Sequence, residues 1–354
     1  MSVVDRALSL WRGRAPRRIG LALAGGGVVG GMYEVGALAA IEERVNGAGR
    51  GFDLYIGCSA GSVVGSLLAS GISAIEIYRI LDDDLPDPLN FRRSAVFASD
   101  AFQRAAARFG KMVWAFSKNA MSAWRTSIPD MLARAERDLP PGFFNLIALE
   151  TFIRNAFASR GMKDSFAALP KRLFIPAIDL DRAERVVFGR NGLSDVAISR
   201  AVAASSSIPG FFEPYSIDGR DYVDGGVGFT SHADLAAEEG MDTVLVVNPL
   251  VPSLFTGTAA TVRKRGLYSI MEQTSRIYSQ NLLALKLDVL GARYPRTEFF
   301  ILQPPRDCEL LFGPCMGFQA SRKALNFGYE STHEWLDGPG EALLRRLAPD
   351  LALA

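Results

Sequence analysis

The chain has 354 residues, 49% of them hydrophobic and 22% charged, a composition that suits a globular protein with a large core. Its formal net charge of +1 argues against nucleic acid as a partner. The cysteines, Cys58, Cys308 and Cys315, form no C-x-x-C pair, and the chain has only 2 histidines. This residue set favours neither a zinc site nor a disulfide framework, so we expect a reducing compartment, no metal and no cofactor.

The first 18 residues carry five arginines and one aspartate, without the continuous apolar core of a signal peptide. We therefore expect no Sec export and a cytoplasmic location, and we treat residues 1–17 as a basic N-terminal segment. Residues 19–41 are long and apolar enough to imitate a membrane span, with Glu34 as their only charged residue. Five glycines in the middle of this run predict a buried strand, a turn and a helix instead.

The pattern alternates strands and helices along most of the chain. We predict strands at 18–24, 53–57, 171–180, 184–189, 242–249 and 298–304, a hairpin-like strand pair at 215–226, and helices at 31–45, 60–70, about 99–137, 147–160, 194–207, 230–240, 264–290 and 319–336. The strands are apolar on both faces, which is typical of an α/β fold with a mostly parallel sheet. We expect a main domain at 18–250 with a helical insertion at about 82–145, and a C-terminal helical extension at 251–354 packed on the core.

A serine framed by glycines, Gly57-Cys58-Ser59-Ala60-Gly61, has the G-x-S-x-G spacing of a nucleophile elbow. The glycine-rich run at 25–30, GGGVVG, also fits the G-x-G-x-x-G pattern of dinucleotide-binding proteins. The dinucleotide interpretation fails because Asp53 opens the second strand, whereas a ribose-binding acid would close it. A glycine loop before a helix still offers free N–H groups to an anion, so the two turns together indicate acyl transfer.

A serine nucleophile needs a base, and the candidates are two histidines and an aspartate. His333 is late enough in the chain for an α/β-hydrolase triad, but its polar surroundings favour a solvated helix position. His232 follows Ser231 at the start of a predicted helix, which favours a capping or surface role. Asp224 ends a strand and precedes Gly225-Gly226, where the backbone can turn tightly and leave the carboxylate uncovered.

Taken together, the loop at 25–30, the elbow at 57–61 and the Asp-Gly-Gly at 224–226 resemble the patatin-like phospholipase family. The approach to the aspartate at 205–226 and the strand at 242–249 extend the resemblance over roughly residues 18–250. The resemblance implies a three-layer α/β/α sandwich that hydrolyses acyl esters of phospholipids and related lipids. The motif glycines outside the loop's first three residues are Gly30, Gly57, Gly61, Gly225 and Gly226.

By the same resemblance, Ser59 is the nucleophile and Asp224 the general base of a Ser–Asp dyad that needs no histidine. The N–H groups of Gly25, Gly26 and Gly27 would form the oxyanion hole. We also expect burial to raise the pKa of Asp224, since a free aspartate is a weak base. An acyltransferase or thioesterase with the same dyad, or a lipid-binding or regulatory module without turnover, are the alternatives.

The sequence departs from the family pattern at two places. Val29 stands where the family usually carries Arg or Lys, which leaves the headgroup preference open. His232 falls where a proline is common, and we assign it no catalytic role.

Residues 101–137 carry seven Lys or Arg against two acids, with interleaved aromatic residues and methionines. This pattern suits a helix at a membrane interface or a lid over a lipid groove, and equally a cap whose cations are solvated. Because the substrate is expected to be lipid, we favour peripheral contact with the inner membrane face. The helix at 264–290 has an apolar face, including Leu267, Met271, Tyr278, Leu285 and Val289, for which we expect core packing, with a homodimer seam as the alternative.

Overall fold

A computed structural model describes residues 17–45, 51–97, 101–121, 140–190, 192–255, 261–313, 316–318 and 320–349. The basic N-terminal segment up to residue 16 and the second part of the basic helical region, 122–139, lie outside the described residues, as does Cys315.

The strands form one sheet in the order β5-β6-β3-β2-β1-β7-β8, with β4 paired to β3. Their bounds are β1 Ile19–Leu23, β2 Leu54–Gly57, β3 Arg172–Asp179, β4 Glu184–Phe188, β5 Tyr215–Ile217, β6 Arg220–Asp224, β7 Thr243–Val247 and β8 Glu298–Leu302. Pairing is parallel along the five strands β3, β2, β1, β7 and β8, in this order across the sheet. β4 and β6 each pair antiparallel with β3. The predicted α/β fold with a mostly parallel sheet is confirmed.

Helices cover both faces of the sheet. Their bounds are α1 Gly27–Val45, α2 Ala60–Ala69, α3 Ala74–Asp82, α4 Ala101–Met121, α5 Ile147–Ser159, α6 Ile198–Ser205, α7 Ala233–Glu238, α8 Leu267–Arg293, α9 Ser321–Leu336 and α10 Glu341–Leu347. Successive strand residues point to opposite faces. Leu21 and Leu23 accordingly join the core under α1, α2 and α9, whereas Ala22 joins the core under α7 and α8. The result is the expected three-layer α/β/α sandwich.

The stretch after residue 250 contributes to the sheet and to a helical layer. β8 pairs in parallel with β7 from Thr243–Glu298 to Val247–Leu302. On one face, α9 lies against α1 so closely that a Cβ atom at Gly36 or Gly328 would overlap the backbone of the other helix. Glycine at both positions therefore permits this helix pair to approach at backbone distance.

The apolar run at 19–41 divides into β1 and α1, as its glycines predict. Within the described ranges, no helix combines the length and the apolar character needed to cross a membrane.

The orientation of α8 corrects the sequence prediction. The apolar face that we expected to pack on the core is exposed, and the buried positions are Arg276, Leu283 and Leu290 instead. Both sides of this helix carry apolar residues, so its periodicity could not show which side faces the core.

Candidate active site

The glycine loop and the serine turn lie side by side at the carboxyl edge of the sheet. β1 and β2 are parallel neighbours, so the loop after Leu23 and the turn after Gly57 emerge at the same edge. Gly25 has φ 79°, and a Cβ atom there would overlap the Cys58 carbonyl and lie 3.0 Å from the Ser59 Cβ. Only glycine allows the loop to pack directly against the serine turn.

Ser59 has the strained backbone of a nucleophile elbow. Its φ of 54° and ψ of −128° are rare for a residue with a side chain, and α2 begins at the next residue. The Ser59 N–H donates to the Ser205 Oγ at 3.1 Å, and that hydroxyl donates to the Pro176 carbonyl at 2.6 Å. Ser205 thus ties the strained turn to β3.

Asp224 is the last residue of β6 and lies beside the serine turn. Its side chain is buried, with the residue 7% exposed, and it accepts a hydrogen bond from the Gly226 N–H at 2.8 Å. The Cys58 thiol lies 3.7 Å from its Oδ1, and the adjacent Ser59 side chain lowers the pKa of this carboxyl.

Burial dominates the electrostatics of this carboxyl. Loss of hydration raises the pKa of Asp224 from 3.8 to about 6, against the lowering effect of its hydrogen bonds from Ser59, Gly226 and Cys58. The two residues predicted from sequence as a pair, Ser59 and Asp224, are therefore in contact, and the carboxyl has the raised pKa that we expected.

The three loop glycines differ in what their N–H groups bind. The Gly25 N–H donates to the buried Glu34 Oε1 at 2.8 Å and so is already engaged. The N–H groups of Gly26 and Gly27 have no acceptor among the described residues, and both glycines line the cleft that contains Ser59 and Asp224. They also lie at the N-terminus of α1, where the helix dipole favours negative charge.

Glu34 holds the glycine loop by accepting a hydrogen bond from the Gly25 N–H, a role that was not predicted from the sequence. It is fully buried, and burial raises its pKa well above the usual range, against the lowering effect of the hydrogen bond from the Gly25 N–H. Its Oε2 has no hydrogen-bond partner within the described part of the chain. The signal was available, since Glu34 is the only charge in the apolar run at 19–41.

The other motif glycines mark close backbone contacts around the site. A Cβ atom would lie within 3.0 Å of neighbouring backbone at Gly30, Gly57, Gly61 and Gly225, and 3.1 Å from the Asp224 Oδ1 at Gly226. Val29, the departure from the family pattern, is the third residue of α1; it is buried and belongs to the core.

His232 is not a surface residue, which corrects the sequence interpretation. It is fully buried, with φ 47°, and its side chain makes no capping hydrogen bond to α7. Its Nδ1 lies 3.3 Å from the Arg185 Nη1, and its Nε2 lies 3.2 Å from the Gly225 carbonyl. Because arginine can only donate, Nδ1 accepts and Nε2–H donates to Gly225, next to Asp224.

The ring of His232 stays neutral. Burial, together with the nearby Arg185 guanidinium, lowers the pKa of His232 to about 3. Arg185 is itself held by Asp234 at 2.7 Å. The other histidine, His333, lies in α9 and contacts Glu43 and Tyr329, apart from the residues that line the cleft.

The cleft over Ser59 and Asp224 has a volume of about 480 Å³ and is mostly apolar. One wall is α8, whose buried Arg276 pairs with Glu272 at 2.9 Å and donates to the carbonyls of Pro249 and Val251. A second, narrower cavity of about 70 Å³ extends from Ser59 between the helices, and its lining is almost entirely apolar. It includes Met32, Val63, Leu67, Leu149 and Phe152.

Among the described residues, no group of three His, Cys, Asp or Glu side chains converges in a way that could hold a metal ion.

Two solved structures illustrate what the chain is similar to. VipD from Legionella pneumophila matches at 14% identity with a TM-score of 0.37, over 91% of this chain and 67% of that chain. ExoU, in a structure of its complex with SpcU from the type III secretion system of Pseudomonas aeruginosa, matches at 18% identity with a TM-score of 0.36. The match covers 94% of this chain and 53% of ExoU, so the chain spans about half the length of that protein.

A protein-family model matches most of the region that contains the cleft residues. The model described as patatin-like phospholipase matches residues 21–237, which is more than half of the chain. The matched range includes the glycine loop, Ser59 and Asp224. This chain therefore belongs to the patatin-like phospholipase family, and that membership supports lipid hydrolysis as its class of activity.

Proposed function

We propose that the protein is a lipid acyl hydrolase of the phospholipase A or lysophospholipase type, with Ser59 as nucleophile and Asp224 as general base. The observation that carries this proposal is the contact between a strained, cleft-lining serine and a buried carboxyl whose pKa is raised to about 6. A base with a pKa near the working pH combines an available charged form with useful proton affinity.

In the proposed reaction, the Ser59 Oγ attacks the ester carbonyl while Asp224 takes the hydroxyl proton. The tetrahedral oxyanion would accept hydrogen bonds from the N–H groups of Gly26 and Gly27, at the N-terminus of α1. The alcohol leaves with the proton from Asp224, and an acyl-enzyme remains on Ser59. Water, deprotonated by Asp224, then attacks the acyl-enzyme. The bond to the Ser59 Oγ breaks, this oxygen takes the proton back from Asp224, and the fatty acid is released.

The apolar cavity beside Ser59 supports a fatty-acyl substrate. It begins at Ser59 and Gly27 and is lined by aliphatic and aromatic side chains of α1, α2 and α5. A hydrocarbon chain gains free energy in such a place because apolar surface leaves water. The scissile ester would lie at Ser59, between this cavity and the wider cleft.

The proposal is tested with Ser59→Ala and Asp224→Asn, using Asp221→Asn as the matched control. Asp221 lies in the same hairpin but hydrogen-bonds Ser216 rather than Ser59. We expect each of the first two variants to lose at least about 10³-fold in kcat/KM on a phospholipid and on a short ester, and the control to keep its activity. A fluorophosphonate probe should label the control but not Ser59→Ala. Near-normal hydrolysis by Asp224→Asn would exclude the dyad, and labelling without hydrolysis would favour a module without turnover.

A further inference from the structure

Helix α8 is attached to the protein by a single narrow face. Its fully buried residues are Arg276, Leu283 and Leu290, spaced by seven and therefore on one stripe of the helix. Arg276 attaches this stripe to the rest of the protein by donating to the carbonyls of Pro249 and Val251. Glu272, one turn earlier in the same helix, pairs with Arg276 and accepts a hydrogen bond from the Gly313 N–H.

The opposite face of α8 is apolar and exposed. Leu267, Met271, Tyr278, Leu285 and Val289 lie on one side of the helix and are 53% to 73% exposed. At 1.5 Å per residue, this exposed stripe extends over about 33 Å. The exposed polar residues Thr274 and Asn281 lie on the same side and interrupt the stripe. Isolated exposed apolar residues are ordinary, but five on one side of one helix indicate a contact surface.

The exposed stripe runs into the mouth of the active-site cleft. Met271 and Tyr278 belong both to the stripe and to the lining of the cleft that contains Ser59 and Asp224. Val227, which is 54% exposed, continues the apolar rim on the side of Asp224. Anything that covers the stripe therefore meets the opening through which a substrate would reach Ser59.

The charged residues around the exposed stripe indicate which kind of partner it binds. The exposed cations of residues 261–296 are Arg263, Lys264, Arg265, Lys286, Arg293 and Arg296, and the exposed acid in this range is Asp288. Arg265 is paired with Glu309, so the other five cations form the positive border. An apolar face with a cationic border suits an anionic bilayer surface, where tyrosines also favour the headgroup region. A twofold dimer through the same stripe would bring two cationic borders together and place a second copy across the cleft.

We propose that the exposed stripe of α8 docks on an anionic phospholipid surface and holds the cleft mouth against the bilayer. This proposal rests on the proposed function, because it supplies the site with lipid from a membrane. It differs from the expectation for residues 101–137, whose described part, α4, also exposes Phe109 and Trp114.

The experiment compares two variants of the full chain by flotation with vesicles of phosphatidylcholine and phosphatidylglycerol. Leu285→Glu/Val289→Glu changes the stripe at two positions outside the cleft lining, and Phe109→Glu changes α4 at a residue that is 54% exposed. We expect the double variant to lose at least about tenfold in vesicle partitioning and in hydrolysis of vesicle lipid, with unchanged hydrolysis of a short water-soluble ester. Phe109→Glu should partition as the parent chain does.

Three outcomes would overturn the proposal: unchanged partitioning of the double variant, loss of partitioning by Phe109→Glu alone, or a lipid-free dimer of the parent that the double variant abolishes in sedimentation. Ser59→Ala separates this proposal from the proposed function, because it should float normally while hydrolysing nothing. If Ser59→Ala retained activity but the double variant failed to float, the docking surface would stand and the nucleophile assignment would fail.

Discussion

At the scale of single residues, the site places an ionisable carboxyl where hydration is poor. Asp224 has a folded-state pKa raised from 3.8 to about 6, so folding favours its protonated form. Its contribution to stability is fully present below the unfolded pKa and is lost as the pH rises through about 6. Above that pH, the charged carboxylate lowers the free energy of unfolding.

The raised pKa of Asp224 predicts how the removal of its charge changes the free energy of unfolding. Asp224→Asn keeps an oxygen acceptor for the Gly226 N–H and removes the buried charge, so it should stabilise the protein at pH 8 by up to about 3 kcal/mol. At pH 4, the variant and the parent should have nearly equal stability. Urea denaturation at both pH values measures the difference, with Asp221→Asn as the control. An equal effect at both pH values would contradict the assigned pKa shift.

The same carboxyl should control the pH dependence of hydrolysis. We predict that kcat/KM on an uncharged ester rises with pH to a midpoint near the Asp224 pKa of about 6 and then reaches a plateau. Such a midpoint is also typical of histidine, but the pKa of the buried His232 is lowered to about 3. A pH–rate profile of His232→Gln tests the distinction, because the midpoint should remain; its disappearance would indicate a histidine base.

His232 should act on the reaction through the position of Asp224. Its Nε2–H donates to the Gly225 carbonyl, so His232→Ala leaves that carbonyl with the Gly228 N–H alone and opens a cavity beside the turn. We expect kcat to fall about tenfold or more with little change in KM. His232→Gln offers an amide donor and should recover part of kcat. Loss of stability without any change in kcat would mean that the histidine is only a core residue.

At the scale of secondary-structure elements, the apolar cavity between α1, α2 and α5 should set the chain-length preference. Val63 of α2 lines it and is half-buried, so Val63→Phe can fill the cavity at modest cost to folding. We predict at least a tenfold loss in kcat/KM for long-chain esters, with butyrate esters hydrolysed normally. Val63→Ala is the matched control, and p-nitrophenyl esters of increasing length provide the measurement. Equal losses for short and long chains would place the acyl group elsewhere.

The sequence predicted a secondary-structure element and its environment correctly where the residue pattern had only one physical interpretation. Gly25 and Gly26 break the apolar run after β1, and α1 begins at Gly27, so that Gly30 and Gly31 lie inside the helix. α8 shows the limit, because apolar residues occupy both its buried stripe and its exposed one. Its orientation depends on contacts outside the helix, since Arg276 donates to the carbonyls of Pro249 and Val251.

At the scale of the whole molecule, the part of the chain after residue 250 is integrated into the sandwich. β8 covers the edge of β7, and α9 packs on α1 through Gly36 and Gly328. We predict that a chain ending at residue 250 does not fold, because it exposes the β7 edge and the apolar face of α1. Circular dichroism and thermal unfolding of the truncated chain test this. A cooperative transition like that of the full chain would show that residues 18–250 fold independently.

The sequence by itself determined the fold class, the family and the two residues that we propose for catalysis. Each of these depends on local chemistry: two-sided apolar strands, glycines where a Cβ atom cannot fit, and a serine and an aspartate at strand ends. Only the tertiary structure decided how the loop glycines are used, since Gly25 binds Glu34 while Gly26 and Gly27 face the cleft. It also decided the burial of His232 and the exposed side of α8. These properties depend on which surfaces meet after folding, and the periodicity of a single chain segment carries no information about its partner.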